Sequence, residues 1–396
     1  MTTPPEVLDA ADPLAAFRDR FVLDDDLVAY LDGNSLGRLP RSTLDRLGSF
    51  VRDEWGSRLI RGWEDSWVDL PVSVGDELGA AVLGASPGQT VIADSTSVNL
   101  YKLLHVAAAL RPGRDEIVVD ATNFPTDRYL VEAVAQARGL TVRRLQPDLV
   151  ENVTVDLVAE VLSERTAVVV LSQVDYRSGT LVDLAGVTRA VHEAGAVVVW
   201  DLCHSAGVVP VDLDASEVDL AVGCTYKYLN SGPGAPAFLY VAERHLAQAT
   251  QPIAGWWSAA DLFAMSDTYE VAPTIRRMLS GTPPVSGMVA VQEGVRMIAE
   301  AGVDAIRAKS KSLTAYAIEL LDAAGLEVVT PRDPALRGSH VTVRHGDARA
   351  VTDRMIARGV VPDFREPDLI RLGLSPLSTS FAEVEAGVRV LVELSG

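Results

Sequence analysis

The sequence predicts an α/β protein built around a mostly parallel sheet. Between about residues 90 and 240, short runs rich in Val and Ile alternate with segments that have the apolar spacing of amphipathic helices. Uninterrupted apolar runs are typical of strands buried on both faces, and helices are the usual connections between parallel strands. With 396 residues, 48% of them hydrophobic, the chain can form one large domain and a smaller one.

Strands and helices are predicted in alternation along this region. The sequence pairs a strand in TVIADST with a helix in SVNLYKLLHVAAAL, EIVVDATNF with DRYLVEAVAQARG, and TAVVVLSQV with LAGVTRAVHEAG. Two further strands are predicted in AVVVWD and VDLAVGCTYKYL. Ligands bind outside the carboxyl ends of such strands, so the residues just after each run are candidate site residues. They are 95–97, 123–127, 175–177, 201–204 and 225–227.

A smaller α+β domain is predicted at the C-terminal end. The Pro- and Gly-rich stretch LSGTPPVSG at 279–287 precedes a long helical segment, and then come the runs GLEVVTP, GSHVTVRH and LIRLGLSP and a helix at 349–358. We therefore expect three parts. Residues 1–50 form an N-terminal segment that packs near the small domain, residues 51–287 form the large, ligand-binding domain, and residues 288–396 form the small domain.

Charge and cysteine content narrow the function classes. Lys and Arg number 35 and Asp and Glu number 54, which gives a net charge of −19. A field of this sign repels nucleic-acid phosphates and anionic lipid, so we expect neither partner. Two cysteines are too few for a disulfide framework and suit a reducing cytosol. Because the sequence shows no secretory signal and no apolar run as long as a bilayer span, we expect a cytoplasmic protein.

Three local patterns suggest other chemistry but lack its context. GNSLG at 33–37 has the spacing of the serine-hydrolase nucleophile elbow, yet it precedes the α/β region and has no oxyanion loop, so Ser35 is a weak candidate. GPGAPA at 232–237 has the spacing of a dinucleotide fingerprint, but two prolines interrupt it and a strand follows. His340 and His345 lie on opposite faces of a predicted strand, which favours core or surface roles over a metal site.

The lysines are few enough to compare one by one. Of the four, Lys102 lies in a predicted amphipathic helix, on a face expected to be exposed, and Lys309 and Lys311 lie in a helix of the C-terminal domain. Lys227 alone follows a predicted strand, between two tyrosines, where desolvation would favour a neutral amine. A reaction that needs a primary amine therefore points to Lys227.

Asp201 and Lys227 form the most informative pair. Asp201 ends one predicted strand and Lys227 follows the next, so both can face one site at the sheet edge. Pyridoxal phosphate needs such a pair, because a lysine binds its aldehyde as a Schiff base and a carboxylate keeps its ring nitrogen protonated. His204 could support the aspartate or the phosphate. The alternative is that Asp201 caps a helix and Lys227 is an ordinary surface amine.

Other groups suited to this cofactor are predicted at the same edge. Phe124, in NFPTD, would supply an aromatic ring to stack on the cofactor. Thr96 and Ser97 stand at the start of a predicted helix, whose N-terminus would bind a phosphate.

Longer stretches, which run in family order over nearly the whole chain, carry a more specific signal. They are YLDGNSLGRLP (30–40), DSTSVNLYKLL (94–104), NFPTDRYL (123–130), VDYRSG (174–179), WDLCHSAG (200–207), GCTYKYLNSGPGAPAFLYV (223–241), GWW (255–257), LSGTPP (279–284), RGSHV (337–341) and VVPDFREPDLIRLGLSPL (360–377). Through them the chain resembles the kynureninases, which belong to the aspartate-aminotransferase-like fold type of pyridoxal phosphate enzymes.

The resemblance implies a pyridoxal 5′-phosphate site in the large domain and a role for each matched residue. Lys227 would be the Schiff-base lysine, Asp201 the partner of the ring nitrogen, and Tyr226 an acid for the carbanion left by bond cleavage. The residues expected around the ring are Phe124, Asp127, Ser172 and His204. Those expected at the phosphate are Thr96, Ser97 and Tyr226, with Trp256 and Thr282 from a neighbouring subunit. Those expected at the substrate are Arg371, which would bind the α-carboxylate, Asn34 and Trp63.

The activity implied by the resemblance is hydrolysis of the Cβ–Cγ bond of L-kynurenine, or of a 3-hydroxy or ring-substituted kynurenine, to the corresponding anthranilate and L-alanine. The family is homodimeric, with active sites completed across the interface. Alternatives are another enzyme of this fold type (an aminotransferase or a desulfurase-like lyase), a serine hydrolase based on Ser35, and a non-catalytic binding protein. Tryptophan catabolism, with NAD biosynthesis, and a specialised biosynthetic route are both compatible with the reaction.

Two departures from the family pattern lie near the expected substrate end. Ser258-Ala259 follows GWW where the family usually has Gly-His, and Ser378 stands where it usually has tyrosine. Both changes remove bulk or hydrogen-bonding groups and leave the cofactor residues untouched. We hypothesise that the reaction type is retained and that ring-substituted kynurenines are admitted.

Overall fold

The computed structural model describes residues 3–395. The strands in this range are β1 (Ala29–Tyr30), β2 (Thr90–Ala93), β3 (Glu116–Asp120), β4 (Thr141–Leu145), β5 (Thr166–Ser172), β6 (Val197–Asp201), β7 (Leu220–Gly223), β8 (Ala237–Val241), β9 (Glu327–Val328), β10 (His340–Arg344), β11 (Val360–Val361), β12 (Asp363–Arg365) and β13 (Leu369–Gly373).

The helices are α1 (Pro5–Ala10), α2 (Arg41–Ser49), α3 (Gly56–Arg58), α4 (Leu70–Leu78), α5 (Thr96–Ala109), α6 (Pro125–Arg138), α7 (Val155–Val161), α8 (Leu184–Glu193), α9 (Glu243–Leu246), α10 (Val285–Ala301), α11 (Val303–Ala323), α12 (Ala348–Ala357) and α13 (Phe381–Ser395). Short 3₁₀ or π segments occupy Ala15–Arg20, Phe50–Trp55, Leu59–Arg61, Trp63–Trp67, Gly79–Leu83, Trp256–Ser258 and Ile275–Met278.

The large sheet has seven strands in the order β2-β8-β7-β6-β5-β3-β4. The pairs from β7 to β4 are parallel, and β8 runs antiparallel to its neighbours β2 and β7. The interior strands β3, β5, β6 and β7 are almost entirely buried, as Val-rich strands covered on both faces must be. The predicted α/β class with a mostly parallel sheet is confirmed.

The edge strand β4 is absent from the strands predicted above, because its sequence has no continuous apolar run. Its sequence is TVRRL, and only Leu145 of its residues is fully buried. An edge strand borders solvent along one side, so charged side chains such as Arg143 and Arg144 are tolerated there and also discourage pairing with another chain.

The local sequence places the candidate residues at the carboxyl edge of this sheet. The Ser95 hydroxyl caps α5 by accepting from the Val98 amide at 3.4 Å. Pro125 occupies the first position of α6, where its missing amide hydrogen costs nothing. Ser172 and Asp201 are register partners at the ends of β5 and β6. The first turns of two helices and the ends of two strands therefore meet at one edge.

A second, antiparallel sheet of order β12-β13-β10-β9 lies in the C-terminal part of the chain. Ala29 and Leu31 pack into its core, and β1 pairs with β11, so part of the N-terminal segment lies against it. Helix α10 buries Met288 and Val291 in the same apolar cluster as the large sheet. The division at 50 and 287 stays a prediction.

Residues 3–395 contain neither a membrane-spanning helix nor a metal-binding cluster. No helix in that range is both long enough and apolar enough to cross a bilayer. The same residues contain no cluster of His, Cys, Asp and Glu able to hold a metal ion. His340 is buried at the start of β10, whereas His345 is half-buried after its end and accepts from the Asp347 amide.

Candidate active site

A cavity opens at the carboxyl ends of β5, β6 and β7. Its lining includes every residue that the sequence placed around the cofactor ring, and the same-chain residues expected at the phosphate. The lining residues are Thr96, Ser97, Phe124, Thr126, Asp127, Ser172, Tyr176, Asp201, Cys203, His204, Tyr226 and Lys227. The tertiary structure therefore gathers residues from widely separated parts of the chain into one site.

Lys227 lies in the cavity with its amine next to an imidazole. The Lys227 Nζ is 3.2 Å from His204 Nε2. Burial, and then the nearby charge of Lys227, hold the pKa of His204 well below its usual range. The imidazole is therefore neutral and can accept a hydrogen bond from the amine, which orients Nζ in the cavity.

Two carboxylates, Asp127 and Asp201, lie together on the cavity wall. Both are buried, and Asp201 Oδ1 accepts from the Cys203 amide at 2.6 Å. Asp127 Oδ2 is buried without a hydrogen-bond partner among residues 3–395. Burial, and then the charge of Asp201, raise the pKa of Asp127 well above its usual range. The pair thus provides more negative charge than its protein surroundings neutralise, which is the environment a cationic ligand group would relieve.

Asn123 positions the aromatic ring of Phe124. Asn123 Oδ1 accepts from the Ser172 hydroxyl and from the Phe124 amide, both at 2.7 Å. The Phe124 side chain is 40% exposed and packs edge-on against Tyr176, with 5.4 Å between ring centroids. A large aromatic face is normally buried, so a partly exposed one at a cavity suits stacking on a planar ligand.

The N-terminus of α5 borders the other end of the cavity. Thr96 and Ser97 are the first two of its fourteen residues. Its first amides lack intrahelical acceptors and carry the positive end of the helix dipole, so an anion is favoured there. Tyr226 lines the same region.

Five predicted residues do not line this cavity. Arg371 is fully buried in β13, where Nη1 donates to the Tyr176 carbonyl at 2.5 Å and Nη2 to the Ser35 hydroxyl at 3.2 Å. Asn34 is buried close to Gly373, and within the described part of the chain neither of its amide atoms has a hydrogen-bond partner. Trp63 packs against Trp67 and Trp257. The other two, Trp256 and Thr282, are exposed.

The expectation that Lys102 is exposed is wrong. Lys102 is 0% exposed, and its Nζ donates to Asp94 Oδ2 and to the Met278 carbonyl, both at 2.7 Å. Helix α5 is buried nearly all round, so it lacks the solvent face of an amphipathic helix. Lys227 is still the preferred candidate amine. The Lys102 amine is bound by Asp94 and by the Met278 carbonyl, and Lys309 pairs with Asp12 at 2.6 Å.

The two rejected motifs have the structures that their contexts indicated. Ser35 lies in a turn after the two-residue strand β1, and it contacts Arg371, with no helix following as in a nucleophile elbow. The Gly232 and Gly234 loop leads into strand β8, so it does not form a dinucleotide-binding turn.

Sequence reasoning assigned no role to Cys203, Thr126 or Tyr176, which also line the cavity. All three lie in the segments 123–127, 175–177 and 201–204 that follow predicted strands, so position at a strand end was the usable signal. Asp363 follows none of those predicted strands, so its position in the sequence did not mark it as a site residue. Its contact with Arg371 is visible only in the folded chain.

A family model described as the kynureninase C-terminal domain matches residues 306–391. The kynureninase of Pseudomonas fluorescens is 42% identical over 98% of this chain and 94% of its own length, and that of Deinococcus radiodurans is 44% identical over 99% and 96%. The chain belongs to the kynureninase family. The resemblance noted from its motifs is thereby confirmed.

Solved structures show how widely the fold of this kynureninase-family chain is shared. A cysteine desulfurase from Thermococcus onnurineus NA1 superposes with a TM-score of 0.85 at 18% identity, covering 96% of this chain and 97% of its own. The cysteine desulfurase CsdA of Escherichia coli gives 0.83 at 19% identity, covering 96% and 98%. At this level of identity the likeness shows the fold alone.

Proposed function

We propose that this protein is a pyridoxal-phosphate-dependent hydrolase that cleaves the Cβ–Cγ bond of L-kynurenine to anthranilate and L-alanine. The observation that carries the proposal is the shared cavity of Lys227, Asp127 and Asp201, in a chain 42% identical to a named kynureninase over nearly its full length. The cavity supplies the amine and the carboxylates that the cofactor requires, and the family supplies the substrate class.

The cavity fits pyridoxal phosphate on its own chemistry. Asp127 and Asp201 are buried and short of positive charge, so they would hold a protonated ring nitrogen. Phe124 offers a face for stacking, Ser172 supports it through Asn123, and Thr96, Ser97 and Tyr226 would hold the phosphate.

When bound, this cofactor withdraws electrons from the carbon that carries the substrate amino group. Lys227 Nζ, held by the neutral imidazole of His204, would bind the cofactor aldehyde and, once released, would move the proton at Cα. Burial raises the pKa of Tyr226 above its usual value, so the phenol keeps its proton at neutral pH. Tyr226 is therefore suited to donate a proton to Cβ after the bond breaks.

Arg371 is proposed to bind the substrate α-carboxylate, which would have to replace one of the present guanidinium partners, Asp363, Ser35 or the Tyr176 carbonyl. Its contact with the Tyr176 backbone puts it directly behind a residue of the cavity wall. Asn34 is proposed as a second substrate contact because its buried amide atoms are unpartnered. Trp63 would act only through the aromatic cluster with Trp257.

The deciding experiment compares Lys227→Ala with Lys311→Ala, a lysine outside the cavity. We expect Lys227→Ala to lose the visible absorbance of bound cofactor and the release of anthranilate from L-kynurenine, and Lys311→Ala to keep both. A keto acid formed from the substrate, or sulfide released from cysteine, would instead indicate the alternative aminotransferase or desulfurase. Cys203 and Cys224, both buried beside strands, do not favour the desulfurase.

We also propose a homodimer in which Trp256 and Thr282 complete the partner's phosphate site. Both are exposed and outside their own cavity, and large apolar side chains such as Ile60, Phe263 and Met265 are exposed in the same chain. A mixture of Lys227→Ala chains with Trp256→Ala/Thr282→Ala chains should regain activity, because one site of each mixed dimer then has all wild-type residues. No recovery in dimers shown to be mixed would contradict shared sites.

The preference for the substrate ring is proposed to extend to 3-hydroxy and other substituted kynurenines. Ser258 is buried and its hydroxyl lies 3.0 Å from the Tyr269 hydroxyl, whereas the buried Ser378 hydroxyl has no hydrogen-bond partner among the residues that the structure describes. Serine at 378 has a shorter side chain than the tyrosine usual in the family. Comparable kcat/KM values for L-kynurenine and 3-hydroxy-L-kynurenine would support the proposal, and a strong preference for the unsubstituted ring would contradict it.

A cytoplasmic location without nucleic-acid or membrane partners completes the proposal. The net charge of −19 disfavours polyanions, and both cysteines are free thiols, which suits a reducing compartment.

A further inference from the structure

A second cavity lies on the outer side of the Phe124 and Tyr176 rings. Those two residues line both it and the candidate active site, so the two cavities are neighbours. Its other walls come from the C-terminal part of the chain and include Arg349 of α12 and Phe364 and Arg365 of β12. We call this space the outer chamber.

The outer chamber combines aromatic rings with positive charge. The Arg349 guanidinium carbon lies 4.2 Å from the centroid of the Phe364 ring, and within residues 3–395 Arg349 forms no salt bridge. Arg365 pairs with Asp363 at 2.9 Å, yet no described residue accepts a hydrogen bond from its buried Nε. Burial raises the pKa of Tyr176, so no phenolate adds negative charge.

The acidic groups nearby leave this charge largely uncompensated. Asp363 is shared between Arg365 and Arg371, so one carboxylate faces two guanidinium groups. Glu366 also lines the chamber, but it is exposed, as Arg349 is, so solvent screens both of these charges. The chamber is thus locally positive in a chain whose net charge is −19, and an anion would be drawn to it.

We propose that the outer chamber is a second binding site, for small aromatic carboxylates. The rings of Phe124, Tyr176 and Phe364 would contact a planar aryl group, while the guanidinium groups of Arg349 and Arg365 would pair with its carboxylate. The aromatic product of the proposed reaction has this chemistry, so the chamber would hold it on its way out of the active site. The identity of that natural ligand rests on the proposed function, whereas the binding of aromatic carboxylates does not.

The test is calorimetric binding to the cofactor-loaded enzyme without turnover. The probes are 2-aminobenzoate, benzoate and aniline, which lacks the carboxylate. We expect the two carboxylates to bind, aniline to bind at least about tenfold more weakly, and affinity to fall with added salt.

Variants localise the binding. Arg349→Gln should weaken 2-aminobenzoate binding about tenfold, Arg349→Lys should retain most of it, and Arg358→Gln should match the wild type, since Arg358 is an exposed arginine paired with Glu393. Equal affinity in Arg349→Gln and wild type would overturn the proposal. Failure to cleave kynurenine would overturn the proposed function alone, because these titrations involve no reaction.

Discussion

Asp363 holds Arg371 along one edge of its guanidinium. Arg371 Nε donates to Asp363 Oδ2 at 2.7 Å, and Nη2 contacts the same oxygen. Arg371 is 1% exposed, so its charge is far from water and needs this counter-ion. The carboxylate also turns the remaining guanidinium hydrogens toward Ser35 and the Tyr176 backbone, which borders the cavity.

Replacing Asp363 by alanine should lower the free energy of unfolding by about 3–5 kcal/mol, because it leaves a buried guanidinium without its partner. Urea denaturation measures this effect, and added acetate should restore part of the loss by replacing the carboxylate. The matched control is Asp368→Ala, which removes a partly exposed partner of Arg344 and should have little effect. Equal losses in the two variants would contradict a special role for Asp363.

Asp127 should make the cofactor-free protein sensitive to rising pH. The pKa of Asp127 is raised in the folded state. Its carboxyl group therefore favours folding at pH values below the ordinary aspartate pKa of about 3.9. This contribution to the free energy of unfolding is lost as the pH rises through the pKa of the folded state. Asp127→Asn should therefore unfold at a higher temperature than the wild type at pH 7, both without cofactor. The two proteins should converge below about pH 4.

In the loaded enzyme the order should reverse, because Asp127→Asn removes a carboxylate proposed to face the protonated ring and should weaken cofactor binding. The exposed Asp53→Asn variant should match the wild type in both states. A wild-type apoprotein as stable as Asp127→Asn at neutral pH would show that Asp127 is not strained by burial.

Asp219 should contribute stability that disappears in acid. Its side chain is 1% exposed and accepts a hydrogen bond from the Val198 amide at 2.9 Å. The Nε2 atoms of His192 and His245 lie 2.8 and 2.7 Å from its carboxylate oxygens. Arg244 Nη2 also donates to the carboxylate, at 2.7 Å. Although burial opposes ionisation, these partners hold the pKa of Asp219 below its usual range. Its stabilising effect is therefore complete above the unfolded pKa of about 3.9 and is lost as pH falls toward the folded value.

The corresponding experiment is urea denaturation of Asp219→Asn at a series of pH values. We expect a loss of about 2–4 kcal/mol at pH 7, which narrows below pH 4 because the carboxylate of the unfolded wild type then takes up a proton. The exposed Asp115, paired with Arg165, provides the control, and Asp115→Asn should change stability little at any pH. A pH-independent difference would refute the assignment to ionisation.

Lys102 should matter for stability and not for cofactor binding. Lys102→Met keeps the length of the side chain but removes the donor to the Met278 carbonyl, which should cost about 1–3 kcal/mol. Asp94 is one-third exposed, so water can replace its lost partner. Thermal unfolding and the visible spectrum measure the two effects. Loss of cofactor absorbance comparable to that of Lys227→Ala would contradict the separation of these lysines.

Patterns along the chain were sufficient for the fold class and for part of the site. Buried parallel strands need continuous apolar residues, so β3, β5, β6 and β7 were recognisable from their Val-rich runs. The edge strand β4 was not recognisable, because solvent on one side permits Arg143 and Arg144. Lys102 was misplaced for the opposite reason, since one helix in this fold is buried on nearly all sides.

The sequence by itself determined that Asp201 and Lys227 end up at one sheet edge, because parallel strands present their carboxyl ends on the same side. It also determined the family, through motifs spread over nearly the whole chain. Only the tertiary structure decided that Asp127 lies against Asp201, that His204 holds the Lys227 amine, and that Asp363 balances Arg371. Such contacts depend on burial and on partners distant in sequence, and neither property is encoded in local spacing.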